Sequence, residues 1–325
     1  MNFKKITLPF LVSGIILTGC QSSGSIPKVD NQDVVASLTD YNILADDIFN
    51  NIKNTTNGKN AYYAVVIKAI VDKYFPITDD MKNDAKITRE SIESSYESSY
   101  GESAEDYLNQ ALAYYGYESM DEYEESLISQ YQYIAFLQSY IDSNFDAVLA
   151  DYISVTNPRT ANVISVTVEN ADSLTDDEKA IIDAIDAKIA AGDDFATIAA
   201  EYSSDSTASA SGSLGVVDSN SDLDTTYGDG ATDEVLGLKA GATSSWLANS
   251  TVVSIFKCDS TDSETIRTEV QDLGIDSPLL TYDSYMEYLA FNTYEITYKD
   301  DDTKSIIQEL VADALETRAQ ERGDN

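Results

Sequence analysis

The spacing of apolar residues changes at Asn157–Pro158, and this change divides the chain into parts that need different architectures. From Asp33 to about Val155, apolar residues recur at steps of three and four, which predicts helices throughout. A capping box, Ser119-Met120-Asp121-Glu122, predicts the start of the last and longest of these helices. Because a proline disfavours helical backbone in the residue before it, we place a domain boundary at this point.

The segment from 157 to 259 alternates between strand and helix patterns. In chain order it predicts a strand at 162–168, helices at 176–190 and 195–202, a loop at 203–230, a short helix at 234–238 and a strand at 252–257. Such an order is typical of a small α+β domain in which an antiparallel sheet is flanked by helices.

The segment from 260 to 325 returns to a mostly helical composition. One predicted helix carries a single apolar stripe made of Ile306, Ile307, Leu310, Val311 and Leu315. A single stripe needs a partner surface, and the helices predicted at 33–156 can provide it. We therefore predict an α+β fold in which both chain ends build one helical lobe and the domain at 157–259 is inserted between them.

The first residues have the pattern of an export signal. Lys4 and Lys5 precede an apolar run that is too short to span a membrane, which needs about 20 apolar residues. Leu17-Thr18-Gly19-Cys20 resembles the bacterial lipobox, whose cysteine is lipidated; an ordinary signal peptide with a chance cysteine is the alternative. We expect a signal peptide at 1–19, a flexible tether at 20–32 and a lipid on Cys20 that holds the protein on the outer face of the cell membrane. With Cys20 lipidated, Cys258 has no intramolecular partner for a disulfide.

The charge of the chain excludes several classes of function. It has 20 basic and 57 acidic residues, a formal net charge of −37, which argues against binding to nucleic acid. The acidic residues are dispersed, and no calcium-loop, phosphate-loop or dinucleotide-binding pattern occurs, so we expect no metal and no cofactor. Because the chain contains no histidine, it also has no Ser-His or Cys-His catalytic pair.

One segment resembles a known family. The run from Gly192 to Gly215, GDDFATIAAEYSSDSTASASGSLG, is similar to the middle of a parvulin-type peptidyl-prolyl isomerase domain, and Leu238-Lys239-Ala240-Gly241 is similar to a turn of that family. The whole layout is similar to the lipoprotein foldases of the PrsA type. That resemblance implies a helical chaperone lobe at 33–156, completed by 260–325, around a parvulin-like domain at 157–259.

The resemblance also implies a catalytic centre that this sequence cannot supply. Parvulin sites hold two histidines in a hydrogen-bonded pair on neighbouring strands, with an acid or cysteine close by and an apolar pocket for proline. We match the family's site residues to this sequence by a frame, meaning the residues on either side of them and their spacing. This frame places the histidines at Val163 and Ser254 and the pocket residues at Tyr227 and Ala231. Asp205 alone keeps its family position, although an aspartate there also serves to form a turn.

The resemblance implies a membrane-anchored foldase whose partners are unfolded or partly folded secreted polypeptides. The missing histidines indicate weak or absent isomerase activity. An active isomerase is one alternative, and a ligand-binding or adhesive surface lipoprotein is another. The 22 tyrosines are consistent with packing and with a cradle of rings that grips unfolded clients. The oligomeric state is left open by the sequence.

Overall fold

The computed structural model describes residues 27–271, 273, 277–281 and 285–323. The signal peptide, Cys20 and the beginning of the tether therefore lie outside the described residues. The chain forms two compact units. We call the described part of 27–142 with 285–320 the helical unit, and that of 143–281 with 321–323 the sheet unit.

The helical unit begins with an antiparallel three-stranded sheet of order β1-β2-β3. Its strands are β1 (Lys28–Val29), β2 (Gln32–Leu38) and β3 (Tyr41–Leu44). Asp30, Asn31 and Asp40 have positive φ, which suits the two tight turns between these strands. The prediction of helix from residue 33 onward is therefore wrong up to Leu44, and residues 28–32, expected in the tether, belong to this sheet.

Helices follow from residue 45, as the spacing predicts. They are α1 (Ala45–Ile52), α2 (Thr56–Tyr74), α3 (Asp79–Tyr100), α4 (Ala104–Tyr114) and α5 (Met120–Thr156). The hydroxyls of Thr55 and Thr78 accept backbone N–H groups in the first turns of α2 and α3, as N-caps do. Helix α5 is kinked at Asn144, and the division between the two units falls beside this kink.

The C-terminal part of the helical unit consists of α12 (Met286–Phe291) and α13 (Asp301–Glu321). It packs against the N-terminal helices: Lys59 Nζ lies 2.9 Å from Glu309 Oε2, and the ring of Tyr63 stacks on that of Tyr288 with centroids 5.1 Å apart. Ile306, Ile307 and Val311 of the predicted stripe are buried. The prediction of one helical lobe made from both chain ends is confirmed.

A carboxyl group lies inside this lobe. The Tyr133 hydroxyl donates a hydrogen bond to the Glu287 carboxylate on α12. Burial raises the pKa of Glu287 above its usual value of 4.5, and the hydrogen bond from Tyr133 only partly opposes that effect. The folded state therefore holds the proton of Glu287 more tightly than the unfolded chain does.

The sheet unit contains the predicted antiparallel sheet; it has four strands in the order β5-β4-β7-β6, of which only β4 and β7 were predicted. Its strands are β4 (Arg159–Thr167), β5 (Ser213–Val217), β6 (Leu247–Asn249) and β7 (Val252–Ser260). Its helices are α6 (Asp176–Ala191), α7 (Phe195–Tyr202), α8 (Asp224–Tyr227), α9 (Ala231–Gly237), α10 (Ser263–Val270) and α11 (Pro278–Thr281). The prediction of a plain loop at 203–230 is wrong, because a 3-10 helix at Ser206–Ala210, strand β5 and helix α8 lie within it.

The central strands β4 and β7 are covered on both faces. One face packs against α6 and α7 through Ile164, Val166, Val253 and Ile255. Residues of the opposite face pack with α8 and α9. Because side chains alternate between the faces of a strand, residues two apart share a face, and this alternation decides which residues of β4 and β7 meet.

Among the described residues, no helix combines the length and apolar character that crossing a membrane requires.

Candidate functional site

Two buried serines face each other across the central strands of the sheet. In the pairing of β4 with β7, Ser165 lies opposite Ser254, and Val163 lies opposite Phe256. The hydroxyl oxygens of the two serines are 2.9 Å apart, within hydrogen-bond distance, and neither residue has any exposed surface. The structure thus brings Ser254 next to Ser165, a residue that the sequence frame passed over, and not next to Val163.

The segment Tyr202-Ser203-Ser204-Asp205, which begins at the last residue of α7, binds the part of β4 that lacks a neighbouring strand on one side. Strand β5 pairs with β4 only as far as Asn162, so the next backbone groups of β4 need other partners. Ser165 N donates to Ser203 Oγ at 3.0 Å, Ser204 N donates to Ser165 O at 2.7 Å, and Thr167 N donates to Ser204 Oγ at 2.8 Å. The two serines of this segment therefore replace a neighbouring strand beside Ser165.

Gly212 closes the same edge by a close backbone approach. Its carbonyl accepts the N–H of Val163 at 2.8 Å, and its φ is +80°. A Cβ added at Gly212 would lie 2.4 Å from Val163 O and 2.7 Å from Ala199 Cβ, distances that real Cβ atoms do not show. The glycine of the Gly-x-Leu-Gly pattern is thus needed for geometry at this edge.

Asp205 accepts hydrogen bonds from three residues, Ser203, Thr207 and Tyr227. One carboxylate oxygen accepts hydrogen bonds from the backbone N–H and the hydroxyl of Thr207, at 3.0 and 2.6 Å. The other accepts the Tyr227 hydroxyl at 3.0 Å. The turn-forming role of Asp205 is therefore present, and the aspartate also fixes the ring of Tyr227.

Tyr227 and its neighbours fill the face of the sheet on which the proline pocket was expected. The Tyr227 ring lies edge-on to Phe256, with centroids 5.4 Å apart and planes at 87°. Burial, followed by the nearby charge of Asp205, raises the pKa of the Tyr227 hydroxyl, so it stays protonated and acts as a hydrogen-bond donor. The buried cluster on this face consists of Ala161, Val163, Val217, Tyr227, Ala231, Val235 and Phe256.

The structure therefore gathers the candidate residues in one region, although not as an open cleft. Val163 and Ala231 have no exposed surface, and Tyr227 is 5% exposed. Alternation along β4 and β7 puts the serine pair on the same face as Val163 and Phe256. Among the predicted site residues that the structure describes, only Asp205 is partly accessible.

Cys258 is a further nucleophile that the sequence contains near this face. It lies on β7 opposite Ala161, is fully buried and forms no disulfide with any residue that the structure describes. Burial raises the pKa of its thiol, which keeps the group protonated and unreactive. Cys258 therefore packs as a small core residue. Within the described part of the chain, no group of three His, Cys, Asp or Glu residues is placed to hold a metal ion.

Comparison with known families decides what this domain is. Residues 164–260 match the rotamase family described as the PPIC-type PPIASE domain. These residues form a PPIC-type domain. The match begins one residue before Ser165 and ends with strand β7, so both serines lie within it, whereas Val163 precedes it.

Solved structures of PrsA proteins are similar over most of the chain. PrsA from Bacillus subtilis is 18% identical, with a TM-score of 0.37, over 85% of this chain and 98% of that one. The foldase protein PrsA from Streptococcus pneumoniae is 17% identical, with a TM-score of 0.38, over the same shares. The peptidylprolyl isomerase PrsA from Bacillus cereus is 19% identical, with a TM-score of 0.33, over 86% and 99%. No curated protein sequence matches the chain.

The pairing of β4 with β7 provides the information on facing residues that the sequence frame lacked. The frame placed the first histidine by matching the residues on either side of it, and the run Ala161-Asn162-Val163-Ile164 fits that frame. Two residues later, Ser165 is likewise followed by a β-branched residue, Val166. Only the register of β4 against β7, with Ser165 opposite Ser254, separates the two.

Proposed function

We propose that this chain is an extracytoplasmic foldase that binds unfolded or partly folded secreted polypeptides, and that its PPIC-type domain has lost the isomerase chemistry of its family. The observation that carries the proposal is the buried Ser165–Ser254 pair in a chain without histidine. We assign the two histidine positions of the family to Ser165 and Ser254, so that Ser165 takes the place first given to Val163.

The chemistry of prolyl isomerisation supports this reading. The reaction breaks no covalent bond; its barrier of about 20 kcal/mol comes from the partial double bond of the amide. A catalyst must stabilise the twisted amide more than either planar form. In this domain the hydroxyls of Ser165 and Ser254 bond to each other and have no exposed surface. A proline peptide cannot contact them unless the strands around them rearrange.

We call the binding of unfolded polypeptides that keeps them from aggregating the holding function. The exposed side chains of the helical unit support it. They include apolar and aromatic groups on several elements: Val35, Leu38, Tyr41, Val65, Ile87, Tyr107, Tyr114 and Tyr115. Clusters of exposed apolar groups on a folded protein commonly mark contact surfaces for other molecules. We assign client binding to this unit and a structural or client-binding role to the PPIC-type domain. From the sequence we propose domain limits of 33–156 and 260–325 for the lobe and 157–259 for the inserted domain, whereas the two compact units of the structure divide after residue 142 and before residue 285.

We further propose that a lipid on Cys20 holds the protein on the outer face of the cell membrane. The lipobox-like run before Cys20 supports this assignment. Expression of the full precursor in a bacterium that processes lipoproteins, followed by fractionation, tests it. The unsubstituted chain is expected in the membrane fraction and the Cys20→Ser variant in the soluble one. Equal partition of both would contradict the assignment.

An aggregation assay tests the holding function. The mature chain is added to a secreted enzyme diluted from denaturant, and light scattering is followed with time. We expect scattering to fall as the chain approaches equimolar amounts, and Ser254→Ala to suppress aggregation as well as the unsubstituted chain does. Failure to suppress aggregation of any of several clients would favour a ligand-binding or adhesive lipoprotein instead.

A further inference from the structure

A row of tyrosines on the helical unit is exposed and surrounded by carboxylates. Tyr96 and Tyr100 on α3 have ring centroids 5.6 Å apart, and Tyr100 stacks on Tyr107 of α4 at 4.3 Å. Tyr114 lies two turns beyond Tyr107 on the same side of α4, about 10 Å along its axis. We call Tyr96, Tyr100, Tyr107 and Tyr114 the tyrosine row.

The rings of this row are accessible to a partner. Tyr100 and Tyr107 are each nearly half exposed, and Tyr114 is 84% exposed. A buried tyrosine would add to the stability of the fold, whereas Tyr100 and Tyr107 leave nearly half of their surface in water and Tyr114 leaves most of it. Stacking between Tyr100 and Tyr107 fixes two of the rings before any partner arrives, which lowers the entropy lost on binding.

The charge around the row has one sign. Glu97, Glu102, Glu105 and Asp106 are exposed beside it, and none of them forms an ion pair with any residue that the structure describes. Between Arg89 and Arg159 the sequence has no lysine and no arginine. Arg89 itself is engaged by Glu93, Asp121 and Glu124. The field over the tyrosine row is therefore negative and is not neutralised by a nearby cation.

Cations stack on tyrosine rings elsewhere in this protein. Lys73 Nζ lies 4.7 Å from the ring centroid of Tyr74, and the guanidinium of Arg318 lies 4.6 Å from that of Tyr285. The rings of the tyrosine row have no such cation among the described residues. A partner that brings lysine or arginine side chains would supply it, since a cation is attracted both to the ring face and to the carboxylates beside it.

We propose that the tyrosine row, with its four flanking carboxylates, is the docking surface for lysine- and arginine-containing unstructured segments of polypeptides. This inference rests on the proposed holding function and names the chemistry of the clients that the surface selects. Acidic segments and anionic lipid surfaces are repelled by the same carboxylates. Neutral segments gain only the ring contacts.

Fluorescence anisotropy with labelled peptides tests the docking surface directly. The probes are three unstructured peptides of equal length that combine glycine and serine with arginine, with glutamate or with glutamine. We expect the mature chain to bind the arginine peptide, and the affinity to fall steeply as salt is added. Equal affinity for the glutamate peptide would overturn the proposal.

Two sets of substitutions locate the binding. The row variant is neutralised at Glu97→Gln, Glu102→Gln, Glu105→Gln and Asp106→Asn, and its control carries the same change of charge on the sheet unit at Glu169→Gln, Asp183→Asn, Asp193→Asn and Asp229→Asn. We expect the row variant to bind the arginine peptide about tenfold more weakly, a difference of about 1.4 kcal/mol, and the control to be nearly unchanged. Equal weakening in both would show attraction to net charge alone and would overturn the assignment.

A ring variant separates the tyrosines from the carboxylates. Tyr100→Ser with Tyr107→Ser should weaken binding of the arginine peptide about tenfold, since each exposed cation–π contact contributes modestly. Tyr74→Ser, at a half-exposed ring on α2 that already has Lys73 over it, should not weaken it. Sedimentation of each variant checks whether a second copy covers the row; dissociation of an oligomer by the ring variant would overturn the proposal.

If aggregation is suppressed but the row variant binds normally, the docking surface is refuted and the holding function stands. If the arginine peptide binds at the tyrosine row but no client is kept from aggregating, the docking surface stands and the holding function is refuted.

Discussion

Removing one hydroxyl of the buried serine pair should cost more stability than removing both. In the Ser254→Ala variant, the Ser165 hydroxyl loses the oxygen that lies 2.9 Å away, in a place without exposed surface. A buried polar group left without a partner costs about 1–3 kcal/mol. The Ser165→Ala variant strands the Ser254 hydroxyl in the same way, so the same range applies. The double variant has no hydroxyl left to satisfy, and we expect it to be less destabilised than either single variant.

The only tryptophan of the chain makes this measurement specific to the PPIC-type domain. Trp246 precedes β6, and its indole N–H donates to Asp186 Oδ1 of α6 at 2.9 Å. Its fluorescence during urea unfolding of the mature chain therefore reports on the sheet unit. Ser173→Ala, at an exposed serine of the same unit, is the matched control and should change the free energy of unfolding by less than about 0.5 kcal/mol.

This comparison of the two single variants with the double variant can refute the assignment of Ser165 as the partner of Ser254 in two ways. If the cost of the double variant equals the sum of the two single costs, the serines do not interact, and Ser165 is not the partner of Ser254. If both single variants are as stable as the control, the hydroxyls are satisfied by other groups, and the site is not closed. Either result would reopen the choice between Val163 and Ser165.

Two further predictions concern the packing of each unit. Gly212→Ala should lower the urea midpoint reported by Trp246, at a cost above about 2 kcal/mol; Gly241→Ala, which has the same φ of +80° but no atom within 4 Å of the new Cβ, should cost clearly less. Because burial raises the pKa of Glu287, its stabilising contribution is complete below its unfolded pKa and is lost as the pH rises through the folded value. Thermal unfolding by circular dichroism should therefore show Glu287→Gln gaining stability over the unsubstituted chain as the pH is raised above the unfolded pKa of a glutamate, and a constant difference would contradict this.

The helices and the inserted domain could be predicted because their signals are local. Helix α7 begins and ends where the sequence predicts, since Asp194 caps it and Phe195, Ile198 and Ala199 form its buried side. The sheet at 28–44 could not be separated from a helix by periodicity. Val34, Leu38 and Tyr41 fit a helical stripe as well as they fit the strands, and only the turn residues at 30–31 and 39–40 indicate hairpins.

The position of the site needed information that the sequence carries only weakly. Shifting one strand by two residues keeps every side chain on the same face, so the apolar pattern of β4 fits Val163 and Ser165 equally well. The register is fixed by contacts distant in the chain, including Gly212 against Val163 and Ser203 and Ser204 against Ser165. The absence of a histidine, by contrast, was evident from composition alone.

The most direct test of a parvulin scaffold without parvulin chemistry is a measurement of prolyl isomerisation. The cis–trans exchange of a proline-containing peptide is followed by nuclear magnetic resonance with and without the mature chain, and an active parvulin serves as the positive control. We predict an exchange rate equal to the uncatalysed one, which corresponds to tens to hundreds of seconds at 25 °C. A clearly accelerated exchange that is lost in Asp205→Ala or Ser254→Ala would contradict the account and make the chain an active isomerase.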